Sequence, residues 1–197
     1  GYFIIHLLNR SQSNKNLLLF LLLALSALVF WTLYQITPIT LIFFIKDHVH
    51  RHFMGWKIAP QWFENINTLT IILGGPLLAF VLRRWRLAKT TFSLPLKFSC
   101  ALALISLGLL VLLIGIQLTP NKEAVSAIWV VIKTVLESLG ELILSPIGVA
   151  MVAVLVPKHW QGIAMGSWLM LTGAASALAG ELTRLSNIDN LLQLSNN

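Results

Sequence analysis

The chain has 197 residues, of which 57% are hydrophobic and 11% charged, and a formal net charge of +7. Soluble domains are roughly half apolar and about a quarter charged, so a small water-soluble core could not hide this much apolar surface. The Lys and Arg residues fall in short gaps between apolar blocks and form no amphipathic surface, which removes nucleic-acid binding as the reason for the positive charge.

Several apolar blocks run for about 20 residues, the length with which an α-helix crosses about 30 Å of hydrocarbon. The pattern therefore predicts an all-α integral membrane protein with about five transmembrane helices. Residues 1–16 read as a cytoplasmic linker. Their apolar start lacks an initiator Met, a basic region and a small-residue cleavage site, so it does not read as a signal peptide, and the chain reads as cut from something longer.

The first span, 17–45, is interrupted by Pro38 and flanked there by Thr37 and Thr40, which predicts a long, bent helix. A polar loop follows over 46–57. In it His48, His50 and His52 alternate beside Asp47, but a flexible loop lacks the fixed geometry of a dedicated zinc site, and no metal is expected. The second span covers 61–82, with Pro60 ahead of its first turn, Glu64 as a favourable first-turn acid, and Arg83, Arg84 and Arg86 as its stop.

The third span, 94–118, is almost free of polar residues and is closed by Thr119-Pro120-Asn121. It holds Cys100, the only cysteine, which reads as a small buried apolar residue. The fourth span, 127–156, contains Lys133, Glu137, Glu141 and Pro146. The fifth, 163–185, is rich in Gly, Ala and Ser and should pack closely against a neighbour. Residues 187–197 are a polar tail, so the bundle occupies 17–186. Trp62, Trp129 and Trp160, together with Trp31, lie near span ends and read as interface anchors.

The basic residues at the N-terminal end (Arg10, Lys15), after the second span and after the fourth (Lys158) alternate with gaps holding Lys46, Arg51 and Lys57, then Lys122, then Arg184. The more basic set belongs in the cytoplasm, which puts the N-terminus inside and the C-terminus outside.

The fourth span carries the expensive chemistry. Lys133, Glu137 and Glu141 recur every four residues and share one stripe of the helix. Ionisable groups at membrane depth cost several kcal/mol each, on the order of the milder insertion estimates, so they must face a partner or a water-filled cavity. Lys133 and Glu137 could simply satisfy each other as an ion pair. Glu141 reads as the deepest of the three and sits just before the helix-bending Ser145-Pro146-Ile147-Gly148. Glu137 and Glu141 repel one another unless Lys133 neutralises the pair.

The run Gly140-Glu141-Leu142-Ile143-Leu144-Ser145-Pro146-Ile147-Gly148 resembles the tenth-helix motif of the proton-dependent oligopeptide transporter family, within the major facilitator superfamily. Phe30-Trp31-Thr32-Leu33-Tyr34 is similar to its seventh-helix motif. Gln61-Trp62-Phe63-Glu64-Asn65-Ile66-Asn67 is similar to the start of its eighth helix, and Met165-Gly166-Ser167-Trp168 to its eleventh. The resemblance implies the partial C-terminal six-helix bundle of a proton-coupled di- and tripeptide symporter, helices seven to eleven.

It further implies that Glu141 binds the peptide amino terminus and takes part in proton coupling; Glu137, at a site that is commonly neutral and polar in the family, and Lys133 are expected to share in the coupling because they lie on the same stripe. Asn67, Ser145 and Trp168 line the same pocket, joined by Trp31 and Tyr34. Gln35, Pro38, Pro146 and Gly148 would serve gating or hinge motion. One departure matters: Gln35 stands where many members carry a Glu, which removes a titratable gate-associated acid. Ile36-Thr37-Pro38 also replaces a small, Gly/Ser-rich stretch.

The implied partners are small peptides, protons, the lipid bilayer and an N-terminal transporter bundle. The proton gradient of the inner membrane is the energy source, and no cofactor is expected. The alternative is a non-transporting remnant or scaffold fragment of a split transporter gene. An enzyme is not expected, because the spans hold no Ser/His pair, no Asp and no ligand cluster on facing helices.

Overall fold

The computed structural model describes residues 2–50, 52–53, 56–57, 59–87, 93–119 and 124–195. Hydrocarbon offers no partner to a free backbone N–H or C=O, so a chain this apolar satisfies its backbone within helices. Five long helices result: α1 (Tyr2–His48), α2 (Trp62–Leu87), α3 (Leu94–Leu118), α4 (Ala127–Leu155) and α5 (Gln161–Ser195). Among the described residues, five stretches are long and apolar enough to cross a membrane: Asn14–Lys46, Trp62–Val81, Leu94–Leu118, Ala127–Leu155 and Lys158–Leu185.

Two boundaries differ from the sequence reading. Helix α1 begins at Tyr2, so most of the expected linker is helical, and α5 continues to Ser195 through the expected tail. Neither 2–16 nor 187–195 contains the Gly or Pro that would stop a helix. Pro120 and Asn121 of the expected turn, the loop cations Arg51, Lys89 and Lys122, and the side chains of His50, His52 and Arg86 lie outside the described residues.

Local signals set the ends of the other helices. Helix α2 is entered through a turn in which Trp62 N–H donates to Ala59 C=O at 3.0 Å and Phe63 N–H to Pro60 C=O at 3.1 Å. Helix α3 carries a proline in its first turn, where the absent N–H leaves no bond unmade. At the start of α4 the Ser126 hydroxyl accepts from Ile128 N–H, and a 3-10 turn over Lys158–Trp160 leads into α5.

Helix α4 is the central strut: it packs against α3 most extensively, then α2, and also against α1 and α5. The larger core joins α1, α3, α4 and α5 through Phe20, Phe30, Phe98, Ile105, Leu144, Met151 and Trp168. A smaller one gathers Ile45, Val49, Phe63, Val125 and Val130 where the loops meet. There β1 (Val49–His50) pairs in parallel with β4 (Val125–Ser126), tying the loop after α1 to the start of α4, while β2 (His52–Phe53) pairs with β3 (Trp56–Lys57).

The small residues of α5 divide by face. Ala164, Ala175 and Ala179 are buried, whereas Gly162, Gly166, Gly173 and Gly180 look onto open space. The close packing expected of α5 is therefore made by its alanines. Leu17, Leu18, Leu21, Leu22 and Leu25 of α1 and Leu69, Ile72, Leu73, Leu77 and Phe80 of α2 point outward, the arrangement of a bundle whose solvent is lipid or further protein.

Candidate functional site

Helix α4 places a residue on the same face every third or fourth position, and that face meets α1 around Pro38. Pro38 has no N–H, so the carbonyl of Tyr34 loses its helical partner and the backbone ladder is open at this level. Polar side chains collect at the same place. They form two rungs between α1 and α4.

In the first rung, Lys133 Nζ lies 2.8 Å from Glu137 Oε2 and donates to Thr37 Oγ1 at 2.6 Å. Thr37 Oγ1 in turn donates to Glu137 Oε1 at 3.0 Å. Both charges are enclosed, with relative exposures of 1% for Lys133 and 2% for Glu137. The facing residue of α3 is Gly108; a Cβ there would lie 3.1 Å from the Lys133 carbonyl and 3.6 Å from Glu137 Cγ. Its missing side chain is what lets α3 cover this rung. Glu141, read from the sequence as the deepest of the three, stands at the middle of α4 and is half-buried, whereas Lys133 and Glu137 are the enclosed pair.

In the second rung, one turn along both helices, Tyr34 Oη donates to Glu141 Oε2 at 2.6 Å. Asn67 Nδ2, from α2, donates to Tyr34 Oη and reaches Glu141 Oε2 at 3.4 Å. Each rung thus has the same logic: a hydroxyl of α1 accepts from one neighbour and donates to an α4 carboxylate. They differ in charge. Glu137 has an ammonium partner, whereas Glu141 is held by neutral donors.

A cavity of about 320 Å³ opens beside the rungs. Its polar lining includes Tyr34, Thr37, Asn67, Thr134 and Glu137, and its apolar wall comes from Pro38, Leu41 and Phe63, among others. Glu64 also lines it, from the exposed first turn of α2. The sequence reading gave Glu64 only a favourable helix-start role, and it missed Thr37 and Thr134.

The remaining candidate residues are distributed as follows. Trp31 and Tyr34 form an aromatic group with Phe30; the Trp31 and Tyr34 ring centroids are 5.4 Å apart, near perpendicular, and the Trp31 Nε1 is buried without a hydrogen-bond partner. Trp168 is not at the cavity. It is 6% exposed and sits in the larger core, with its indole against Gly148. A side chain at 148 would collide with that ring, so Gly148 serves as a socket for the α4–α5 contact.

Ser145 and Gln35 are half-buried and are not among the described lining residues. Pro146 lies inside α4, which continues past it to Leu155. In the last turn of α1, His48 stacks on Phe44 at 5.6 Å, and among the described residues no group of three or more His, Cys, Asp or Glu side chains is gathered as a metal site.

These features define a polytopic helical membrane protein with a carboxylate-bearing internal cavity. The POT family model matches residues 3–192, and the chain belongs to the POT family. It is similar to dipeptide and tripeptide permease A of Cronobacter turicensis, 33% identical over 188 residues that cover 93% of this chain and 37% of that permease. It is also similar to dipeptide and tripeptide permease A of Escherichia coli, at 32% identity over 87% of this chain and 34% of the permease.

Two solved structures extend the comparison. A Glu-to-Gln mutant of a peptide transporter POT in complex with sulfate superposes with a TM-score of 0.81 at 26% identity, covering 92% of this chain and 36% of that one. A POT family transporter in complex with 5-aminolevulinic acid gives 0.73 at 28% identity, over 88% of this chain and 35% of its own. The chain spans about a third of the length of these relatives.

Proposed function

We infer that the chain is the C-terminal bundle of a proton-coupled symporter for di- and tripeptides in the inner membrane, with its N-terminus in the cytoplasm. The observation that carries this reading is the Tyr34–Asn67–Glu141 rung beside an internal cavity. A carboxylate held by neutral donors has no cationic partner of its own and can pair with a ligand ammonium or take up a proton, and an amide beside it can bind a peptide terminus. The names of the relatives, peptide permeases and peptide transporters, support the same substrate class.

In this mechanism Glu141 alternates between a proton and the substrate's ammonium, in a pathway completed by an N-terminal bundle that rocks against this one. Tyr34 orients the carboxylate and Asn67 orients Tyr34. Gln35 cannot titrate, so the coupling proton is carried by the α4 face. The breaks at Pro38 and Pro146 lie where helices yield most readily, because a backbone bond is already missing.

The test is uphill uptake of Ala-Ala into proteoliposomes by the full-length protein. Glu141→Gln should abolish accumulation against a gradient while leaving insertion intact. Undiminished accumulation by that variant would remove Glu141 from the coupling role.

A further inference from the structure

The first rung places its carboxylate, Glu137, on the cavity wall, and its pairing has a consequence for selectivity. Glu137 lines the cavity, whereas Lys133, bonded to it at 2.8 Å, is not among the described lining residues and is 1% exposed. The carboxylate therefore has the ammonium on one side and the cavity on the other. Thr37 holds both members, accepting from Lys133 and donating to Glu137, so the pair is fixed across two helices. Glu64, the other acid on the wall, is exposed at the end of its span, where water and salt screen it.

We propose that Lys133 is a specificity-setting residue, a built-in counter-ion that cancels Glu137 and keeps it from serving as a second cation site. Glu141, held beside the cavity by the lining residues Tyr34 and Asn67 though not itself among the described lining residues, is then the one carboxylate of the two rungs without a cationic partner, and the site favours peptides whose only cation is the amino terminus over peptides with an additional basic side chain. This rests on the peptide-binding role proposed for Glu141. Charge that is fixed near a ligand acts mainly on discrimination among ligands, through attraction of one and repulsion of another.

The test measures binding of Ala-Ala and Ala-Lys to the purified full-length protein and follows the ratio of their affinities. Lys133→Met uncovers a negative charge and should raise the preference for Ala-Lys by about fivefold or more, the order expected of one unit charge in a partly shielded site. Glu137→Gln leaves the ammonium uncompensated and should shift the ratio the opposite way. The double variant Lys133→Met/Glu137→Gln should return it to within about twofold of wild type.

A purely structural ion pair would weaken both peptides alike in each single variant, and that result overturns the proposal. So does a ratio that does not move. Should the single variants not fold, the swap Lys133→Glu/Glu137→Lys, which keeps the pair but turns the ammonium to the cavity, carries the test: the ratio must fall, and an unchanged ratio refutes the role. Wild-type protein that binds neither peptide contradicts the peptide-binding reading itself, whereas normal wild-type binding with an unmoved ratio contradicts only the counter-ion role.

Discussion

Replacing Gly148 with Ala tests the packing of α5 on α4 in a case where two physical effects have opposite signs. Helix propensity alone favours Ala over Gly by about 1 kcal/mol. The added methyl, however, would overlap the indole of Trp168, which is 6% exposed and held in the core with Leu144, Met151, Val152 and Ala164. Overpacking of this kind costs typically about 1–3 kcal/mol. A rigid ring against a helix backbone belongs at the upper end of that range, because neither can yield without moving α5.

The net expectation is a loss of about 2 kcal/mol, from about 3 of strain less about 1 of propensity. At about 2–4 °C per kcal/mol for a chain of this size, thermal unfolding in detergent should fall by about 4–8 °C. Trp168→Leu in the same chain should remove the clash, so the double variant should be more stable than the sum of the two single effects by about 1–2 kcal/mol. A Gly148→Ala variant with a raised unfolding temperature would refute the reasoning, because it would mean that the indole is free to move aside.

Three further outcomes follow from the two rungs. Lys133→Ala should destabilise by about 3–5 kcal/mol, because it leaves an uncompensated buried carboxylate, whereas Lys133→Leu/Glu137→Leu should unfold near the wild-type temperature. Equal losses in the two variants would show that the pair itself holds the helices together. Tyr34→Phe removes the donor to Glu141 and the acceptor of Asn67, and thermal unfolding should report a loss of about 1.5–3 kcal/mol, the range for a bond to a charged group. Asn67→Ala should weaken dipeptide affinity by about tenfold, or about 1.4 kcal/mol, without lowering expression, as read by direct titration.

Much of this architecture is legible in the sequence because lipid leaves the backbone few choices. Twenty-residue apolar blocks must be helices, and the charged gaps between them must be loops. The Lys133–Glu137 contact is equally legible, since residues four apart on a helix are neighbours. Tyr34, Asn67 and Glu141 were found through motif resemblance, and α1, α2 and α4 do bring them within bonding distance.

What could not be read depends on how the helices are rotated. Thr37 bonds residues 96 and 100 positions away, a proximity that only the crossing of α1 and α4 creates. Trp168 was expected at the pocket, yet an indole satisfies a core as well as a cavity, and periodicity does not say which face wins. One signal was present: Gly148 follows the α4 motif as a gap, and a gap of that size needs a large complementary side chain. The enclosure of Lys133 and Glu137 is not legible for the same reason, because it depends on Gly108 of α3 closing over them.

Direct calorimetric titration of Ala-Ala into the full-length protein, comparing wild type with Glu141→Gln, addresses the central claim most directly. Peptide binding by the wild type that disappears in the variant, while both unfold at similar temperatures, is the expected result. Wild-type affinity retained by the variant would mean that the carboxylate between Tyr34 and Asn67 does not hold the ligand.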